Sequence, residues 1–112
     1  MRFLCLYKPG RPEGTPPSDQ EMMGMDALIK DMCESGVLLA TEGCMPSALG
    51  ARVRLSSGVF SVIDGPFAES KELVGGFALI QVDSRAEAIE HTKRFLRTAG
   101  DGESEIRQIW EP

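Results

Sequence analysis

The sequence predicts an α+β fold, a ferredoxin-like antiparallel sheet with two helices on one face. Two capping boxes, Ser18 with Glu21 and Ser84 with Glu87, mark the starts of the helices. Apolar or alternating segments mark the strands, in the order strand, helix, strand, hairpin strands, strand, helix, strand. The 112 residues suit a single domain covering 1–112.

The N-terminal part of the chain is expected to form a strand, a loop, a helix and a second strand. Met1–Lys8 is apolar on both faces, which predicts a strand buried on both sides. The proline- and glycine-rich Pro9–Pro17 is a loop, and the helix runs from about Asp19 to a stop at Gly36. The strand Val37–Glu42 follows. The predicted inner stripe of the helix is Met22, Met25, Ile29, Met32 and Cys33.

A hairpin is predicted in the middle of the chain. Ala51–Ser56 alternates, with Val53 and Leu55 expected to point inward. Ser57-Gly58 is a two-residue connection into the partner strand, Val59–Asp64.

The C-terminal part should contain a central strand, a helix and a last strand. Leu73–Val82 is apolar on both faces, the second helix ends at Gly100, and Ile106–Trp110 is the last strand. Two helices cover only one face of such a sheet, so a large apolar surface is left uncovered. We therefore expect a homodimer in which two sheets pack face to face as a dimeric α+β barrel.

Composition narrows the class of protein. A net charge of -5 and a pI near 4.8 oppose binding to nucleic acid. Apolar runs are too short to span a membrane, and the N-terminus lacks a signal-peptide pattern. Three cysteines without a CxxC pair indicate a reducing, cytoplasmic location. Residues with recognised metal-ligand spacing are lacking, so neither metal nor cofactor is expected.

The segment from Asp64 to Glu72 has the most unusual chemistry of the chain. Asp64 ends a strand on the same face as Phe60 and Val62, so its carboxylate is a candidate general base with a raised pKa. The alternative is a capping aspartate that accepts N–H bonds from Phe67 or Ala68.

Glu42 is the second candidate. It follows Leu38 and Ala40 on what should be one strand face, which would direct it toward the core. If Glu42 and Asp64 converge, their pKa values separate and supply an acid and a base. The alternative is pairing of Glu42 with a cation, for which the candidates are Arg52, Arg54 and Lys71.

The segment Asp64–Glu72 resembles the signature of the DGPF type of YCII-related proteins. Other recurring segments of that family resemble Gly36–Gly43 with Pro46-Ser47, Gly75-Gly76-Phe77 and Glu105-Ile106-Arg107. The resemblance implies a bacterial dimeric α+β barrel, often associated with extracytoplasmic-function sigma factors. Some relatives are dehydrochlorinases that use a histidine–aspartate pair, but His91, the single histidine, is mid-helix and does not match that histidine.

Two functions are therefore expected. The first is a cofactor-free acid–base enzyme, isomerase- or lyase-like, acting on a small anionic or aromatic molecule. Asp64 and Glu42 would be its catalytic residues, and the residues predicted to contact the ligand are Lys71, Glu69, Phe67, Ser47 and Arg54. The alternative is a non-catalytic sensor or docking module for a protein partner in transcription.

Overall fold

The computed structural model describes residues 1–69 and 73–112. In chain order its elements are β1 (Arg2–Pro9), α1 (Asp19–Glu34), β2 (Leu38–Gly43), a 3-10 turn (Ser47–Leu49), β3 (Ala51–Ser56), β4 (Val59–Asp64), β5 (Gly76–Gln81), α2 (Arg85–Ala99) and β6 (Gly102–Gln108). Four strands form an antiparallel sheet in the order β2-β5-β1-β6, and β3 and β4 form a separate two-stranded sheet. The predicted ferredoxin-like fold is confirmed, with a hairpin inserted between its second and third strands.

Both helices pack on one face of the main sheet. Phe3 of β1 and Ile80 of β5 are opposite each other and are 3% and 2% exposed. They belong to one core with Leu28 and Met32 of α1 and Ala88 of α2. The open sheet face, on the other side, carries Leu4, Leu6, Phe77 and Leu79, which are half-buried.

The helices begin where predicted because their caps form. Ser18 accepts from the Glu21 N–H at 3.1 Å, and the Glu21 carboxylate accepts from the Ser18 N–H at 3.3 Å. Two members of the predicted stripe are wrong: Cys33 and Met22 are exposed, and Leu28 takes a core position. Leu28 and Met32 are four residues apart, so they share the buried face, from which Cys33 is turned away.

A bulge in β2 changes the expected direction of Glu42. Leu38 is opposite Ile80, but Ala40 is opposite Leu79, so the register shifts between them. Glu42 is consequently opposite Phe77, on the open side of the sheet, and is exposed. The prediction of a core-directed Glu42 is therefore wrong, because strict alternation from Leu38 ignores the bulge.

The hairpin has the predicted strands and turn. Ser57 and Gly58 both have positive φ, 49° and 78°, as a two-residue hairpin turn requires. Val53 is opposite Val62 and Leu55 is opposite Phe60, so these four side chains share one side, here called the hairpin apolar face. The prediction that Val53 and Leu55 point into a core is wrong for this chain, since they are 67% and 62% exposed.

The ends of the last strands also differ from prediction. β5 begins at Gly76, and β6 is shifted toward the N-terminus, leaving Trp110 outside it and exposed. A Cβ on Gly76 would lie 2.8 Å from the Glu42 carbonyl oxygen, so the two backbones approach closely at this position. Among the described residues, the helices fall short of the length and hydropathy needed to span a membrane.

Candidate functional site

A cavity of about 950 Å³ lies between α1 and the helix-covered face of the sheet. Its apolar walls come from α1, the sheet and α2, and include Met22, Met25, Leu28, Ile29, Met32, Leu38, Ala78, Ile80 and Phe95. The loop between β1 and α1 borders the cavity at one end. This volume and this lining are typical of sites that bind small organic molecules.

An ion pair holds that bordering loop in place. Arg11 Nη2 donates to Glu21 Oε2 at 2.6 Å and to the Ala99 carbonyl at 3.4 Å. Arg11 thus joins the loop to the start of α1 and the end of α2. The hydrogen bond from Arg11 lowers the pKa of Glu21, so this carboxyl is ionised at neutral pH.

Tyr7 supplies a hydroxyl to the cavity. Its ring packs edge-to-face on Phe95, with centroids 5.0 Å apart and planes at 84°. The hydroxyl makes no hydrogen bond within 1–69 and 73–112. Burial raises the pKa of Tyr7, against the opposing charge of Arg11, so the phenol stays protonated and can donate a hydrogen bond.

Two of the three cysteines and the histidine border the same space. Burial raises the pKa of the Cys5 thiol, with a hydrogen bond to Thr92 opposing it, and a thiol with a raised pKa is a poor nucleophile. Cys44 and His91 also line the cavity. Among the described residues, His, Cys, Asp and Glu side chains are nowhere grouped closely enough to hold a metal ion.

The segment that begins at Asp64 is fastened to the 3-10 turn. The Gly65 N–H donates to the Gly50 carbonyl at 3.1 Å, and the Phe67 N–H donates to Ser47 Oγ at 3.0 Å. A Cβ on Gly65 would overlap the Ser47 carbonyl oxygen. Asp64 was predicted, as one alternative, to accept a hydrogen bond from the Phe67 N–H. That part of the prediction is wrong, because the Ser47 hydroxyl accepts this hydrogen bond.

Ser47 connects this segment to the loop that borders the cavity. Its N–H and its hydroxyl donate to the two carboxylate oxygens of Glu13, each at 2.7 Å. Glu13 lines the cavity, and the Phe67 ring packs under the Arg52 guanidinium, 3.9 Å from the ring centroid. A continuous series of contacts therefore links the cavity loop to the hairpin base. It runs from Glu13 through Ser47 and Phe67 to Arg52.

The predicted site residues are divided between two places. Glu42 is in β2 at the edge of the cavity, but its side chain is on the open sheet face and makes no ion pair with any described residue. Asp64 is at the hairpin base and does not line the cavity. Ser47, Phe67, Glu69 and Arg54 also stand outside the lining, and Lys71 lies outside the described residues. Sequence reasoning missed Tyr7 and Arg11, although Arg11 precedes the capping box whose Glu21 it pairs with.

A scan against protein-family models matches the YCII-related domain over residues 1–111. The chain belongs to the YCII-related family. An uncharacterised protein of Rhizobium meliloti (strain 1021) is 35% identical over 92 residues, which cover 81% of this chain and 74% of that protein. Among solved structures, 5-chloro-2-hydroxyhydroquinone dehydrochlorinase from Burkholderia phenoliruptrix AC1100, in complex with 2,5-dihydroxybenzoquinone, is 14% identical, with a TM-score of 0.49 over 99% of this chain and 94% of that chain.

Proposed function

We propose that this YCII-related protein binds a small organic molecule in the cavity between α1 and the sheet. The observation that carries the proposal is the cavity itself, about 950 Å³ with a mainly apolar lining and a few polar groups. The ligand would have an apolar or aromatic body and one hydrogen-bonding or anionic group.

The polar groups define how such a molecule would be oriented. The Tyr7 hydroxyl makes no hydrogen bond to the described part of the chain, and it lies near Arg11, whose charge acts on it. An oxygen of the ligand would accept from Tyr7, while its body would pack on Phe95 and Met25.

We also propose that the bound molecule undergoes acid–base chemistry, an isomerisation or an elimination. Glu42 and Asp64 remain the predicted acid and base, with Glu42 on the open sheet face and Asp64 outside the cavity lining. The predicted ligand contacts remain Lys71, Glu69, Phe67, Ser47 and Arg54. We also propose that the segment Asp64–Glu72 is of the DGPF type. Loss of turnover in Glu42→Gln and in Asp64→Asn, with the fold intact, is the expected result.

Binding is tested by thermal shift and calorimetry against a panel of hydroxybenzoates, phenols, lactones and short carboxylates. A ligand at about a hundred times its Kd adds roughly 2.7 kcal/mol to the free energy of unfolding. Tyr7→Phe removes only the hydroxyl, so it should weaken the best compound about tenfold, the effect of one hydrogen bond of about 1.4 kcal/mol.

The location of binding is tested on α1. Ile29→Trp adds bulk to the cavity wall and should abolish binding. Met23→Trp is the matched control, because Met23 is on the same helix but is exposed and outside the lining. A panel without any binder, or equal binding by both variants, would contradict the proposed site.

A second candidate function is a protein-interaction module, including the sensor or sigma-factor partner expected from the sequence. The observation that favours it is the exposure of the hairpin apolar face. We further propose that the protein is a homodimer, tested by its mass in solution. A monomer mass at 100 µM would contradict that proposal.

A further inference from the structure

The cavity loop, residues 10–18 between β1 and α1, borders one end of the cavity. Every residue from Arg11 to Pro17 lines the cavity, and every residue from Pro12 to Pro17 is also exposed to solvent. The loop therefore has the cavity on one side and water on the other. A loop in this position can control how small molecules enter and leave a site.

The base of the cavity loop is anchored by two contacts. The Gly10 N–H donates to the Asp101 carbonyl at 2.9 Å, and a Cβ on Gly10 would lie 2.9 Å from the same oxygen. Arg11, the next residue, pairs with Glu21 of α1 at 2.6 Å. Because these contacts hold the start of the loop, we expect a movement of the loop to begin beyond Arg11.

The tip of the cavity loop depends on a single side chain. In the described parts of the chain, the hydrogen bonds from residues 12–17 to other elements are all made by Glu13, whose carboxylate accepts from the N–H and the hydroxyl of Ser47. None of the residues 10–18 is buried, so the tip lacks a packed apolar anchor. A segment held by a few exposed hydrogen bonds opens at a low cost in free energy.

Ser47 is itself positioned by the segment that begins at Asp64. Its hydroxyl oxygen accepts from the Phe67 N–H at 3.0 Å, and Gly65 lies directly against its carbonyl oxygen. A hydroxyl that accepts from the Phe67 N–H has its proton free to donate to Glu13, so the two hydrogen bonds strengthen each other. The contact that holds the loop tip is therefore connected to this segment through one hydroxyl group.

We infer that the cavity loop is a lid, that the Glu13–Ser47 contact is its latch, and that the segment beginning at Asp64 controls the latch through Ser47. When the latch opens, the loop tip moves about its anchored base and the cavity opens to solvent at this end. The inference goes beyond the proposed function. It concerns the same cavity, but it requires neither a particular ligand nor acid–base chemistry.

The thiol of Cys5 can report on opening of the lid. Cys5 lines the cavity and is 8% exposed, whereas Cys33 is exposed and outside the lining. Alkylation by monobromobimane, followed by peptide mass spectrometry, should be slow at Cys5 and fast at Cys33 in the same sample. Cys44, exposed and at the cavity, is replaced by serine in every protein so that its alkylation cannot obstruct entry.

The first comparison is between the latch and a hydrogen bond inside the loop. Glu13→Ala removes both bonds to Ser47 and should speed Cys5 alkylation about tenfold. Thr15→Val is the matched control, because the Thr15 hydroxyl donates at 2.7 Å to the Pro12 carbonyl of the same loop. It should change the rate less than about twofold, and the Cys33 rate should be the same in all variants.

Control by the segment that begins at Asp64 is tested with Ser47→Ala and Gly65→Ala. Ser47→Ala removes the hydroxyl that joins Glu13 to Phe67, so combining it with Glu13→Ala should speed alkylation less than the product of the two separate effects. Gly65→Ala changes the segment outside the cavity lining, and it should speed Cys5 alkylation at least about threefold.

Three results would overturn the inference, and they differ in meaning. Equal Cys5 rates in Glu13→Ala and its parent would show that the loop does not limit access to the cavity. Equal acceleration by Thr15→Val would show that the internal conformation of the loop, not the latch, sets the rate. An unchanged rate in Gly65→Ala, with multiplying effects of Glu13→Ala and Ser47→Ala, would remove control by the segment.

Two further measurements separate lid opening from other events. Alkylation of Cys5 through the lid should depend weakly on urea below the unfolding transition. A rate that rises with urea as steeply as global unfolding would contradict the lid, since the thiol would then react only in the unfolded chain. A ligand panel without a binder would contradict the proposed function but not the lid, because alkylation is measured without a ligand.

Discussion

The four-stranded sheet and the β3–β4 hairpin are both antiparallel, and both present large apolar side chains on one face, but only the sheet has that face covered. Phe3 of β1 is 3% exposed and Phe60 of β4 is 69% exposed. The difference in exposure does not arise from residue type, since both strands carry large apolar side chains. It arises because α1 and α2 return over the sheet, whereas the hairpin projects beyond the helices.

An alternating strand pattern therefore predicts that a face will be covered, but it does not say by which chain. In the sheet, the covering layer is encoded within the chain as two capped amphipathic helices. Over the hairpin, the described chain provides no such layer, and Val53, Leu55, Phe60 and Val62 are exposed. The predictions below test this contrast, from the largest expected effect to the smallest.

The same substitution in both regions should have very different effects on stability. Phe3→Ala removes a core ring and should lower the free energy of unfolding by about 3–5 kcal/mol. Phe60→Ala should change it by less than about 0.5 kcal/mol at the lowest protein concentration, because the ring is exposed in the single chain. Urea unfolding at several protein concentrations measures both values. Equal losses at the lowest concentration would show that the hairpin is packed within its own chain.

The junction between the two regions depends on a glycine. Gly65→Ala should cost about 1–3 kcal/mol, since its Cβ would overlap the Ser47 carbonyl oxygen and force the backbone to move. Gly50→Ala is the matched control: its Cβ would lie 3.5 Å from the same oxygen, an ordinary contact. Thermal unfolding, together with hydrogen exchange at the Phe67 amide, measures the loss. An unchanged Phe67 amide in Gly65→Ala would contradict the proposed fastening of this segment to Ser47.

Most of the fold was predictable because it depends on local signals. Capping residues, turn residues and strand alternation were enough for the element order, and Ser57-Gly58 was recognised by its turn chemistry. The direction of Glu42 was not predictable, because the β2 bulge depends on how β2 and β5 pair. The cavity was missed for a similar reason: Tyr7 and Arg11 are near the N-terminus and Phe95 is in α2, and only the packed fold brings them to one space.

The ion pair that holds the cavity loop should make part of the stability of the helical region depend on pH. Because the folded-state pKa of Glu21 is lowered, its stabilisation is present above the unfolded value, about 4.3, and is lost as pH falls through the folded value. Glu21→Gln keeps the capping box but removes the charge. Its stability deficit relative to wild type should therefore be largest at neutral pH and shrink on acidification below about pH 4. Urea unfolding at each pH measures this stability deficit. A deficit that stays constant from pH 7 to pH 3 would show that the charge of Glu21 is not involved.

The smallest expected effect is confined to the hairpin turn. Ser57 has φ 49°, a left-handed conformation that asparagine adopts more easily, and Asn-Gly is the preferred pair for such a turn. A left-handed conformation costs an ordinary residue roughly 1–2 kcal/mol, and Ser57→Asn should reduce that cost. Amide exchange in β3 and β4 should therefore slow by about two- to threefold. Exchange of the Phe3 and Ile80 amides should not change, because the two sheets share no strand and the hairpin can open by itself. If Ser57→Asn instead slowed exchange equally in both sheets, the hairpin and the four-stranded sheet would unfold as one unit. The two regions would then differ in the exposure of their side chains but not in their stability.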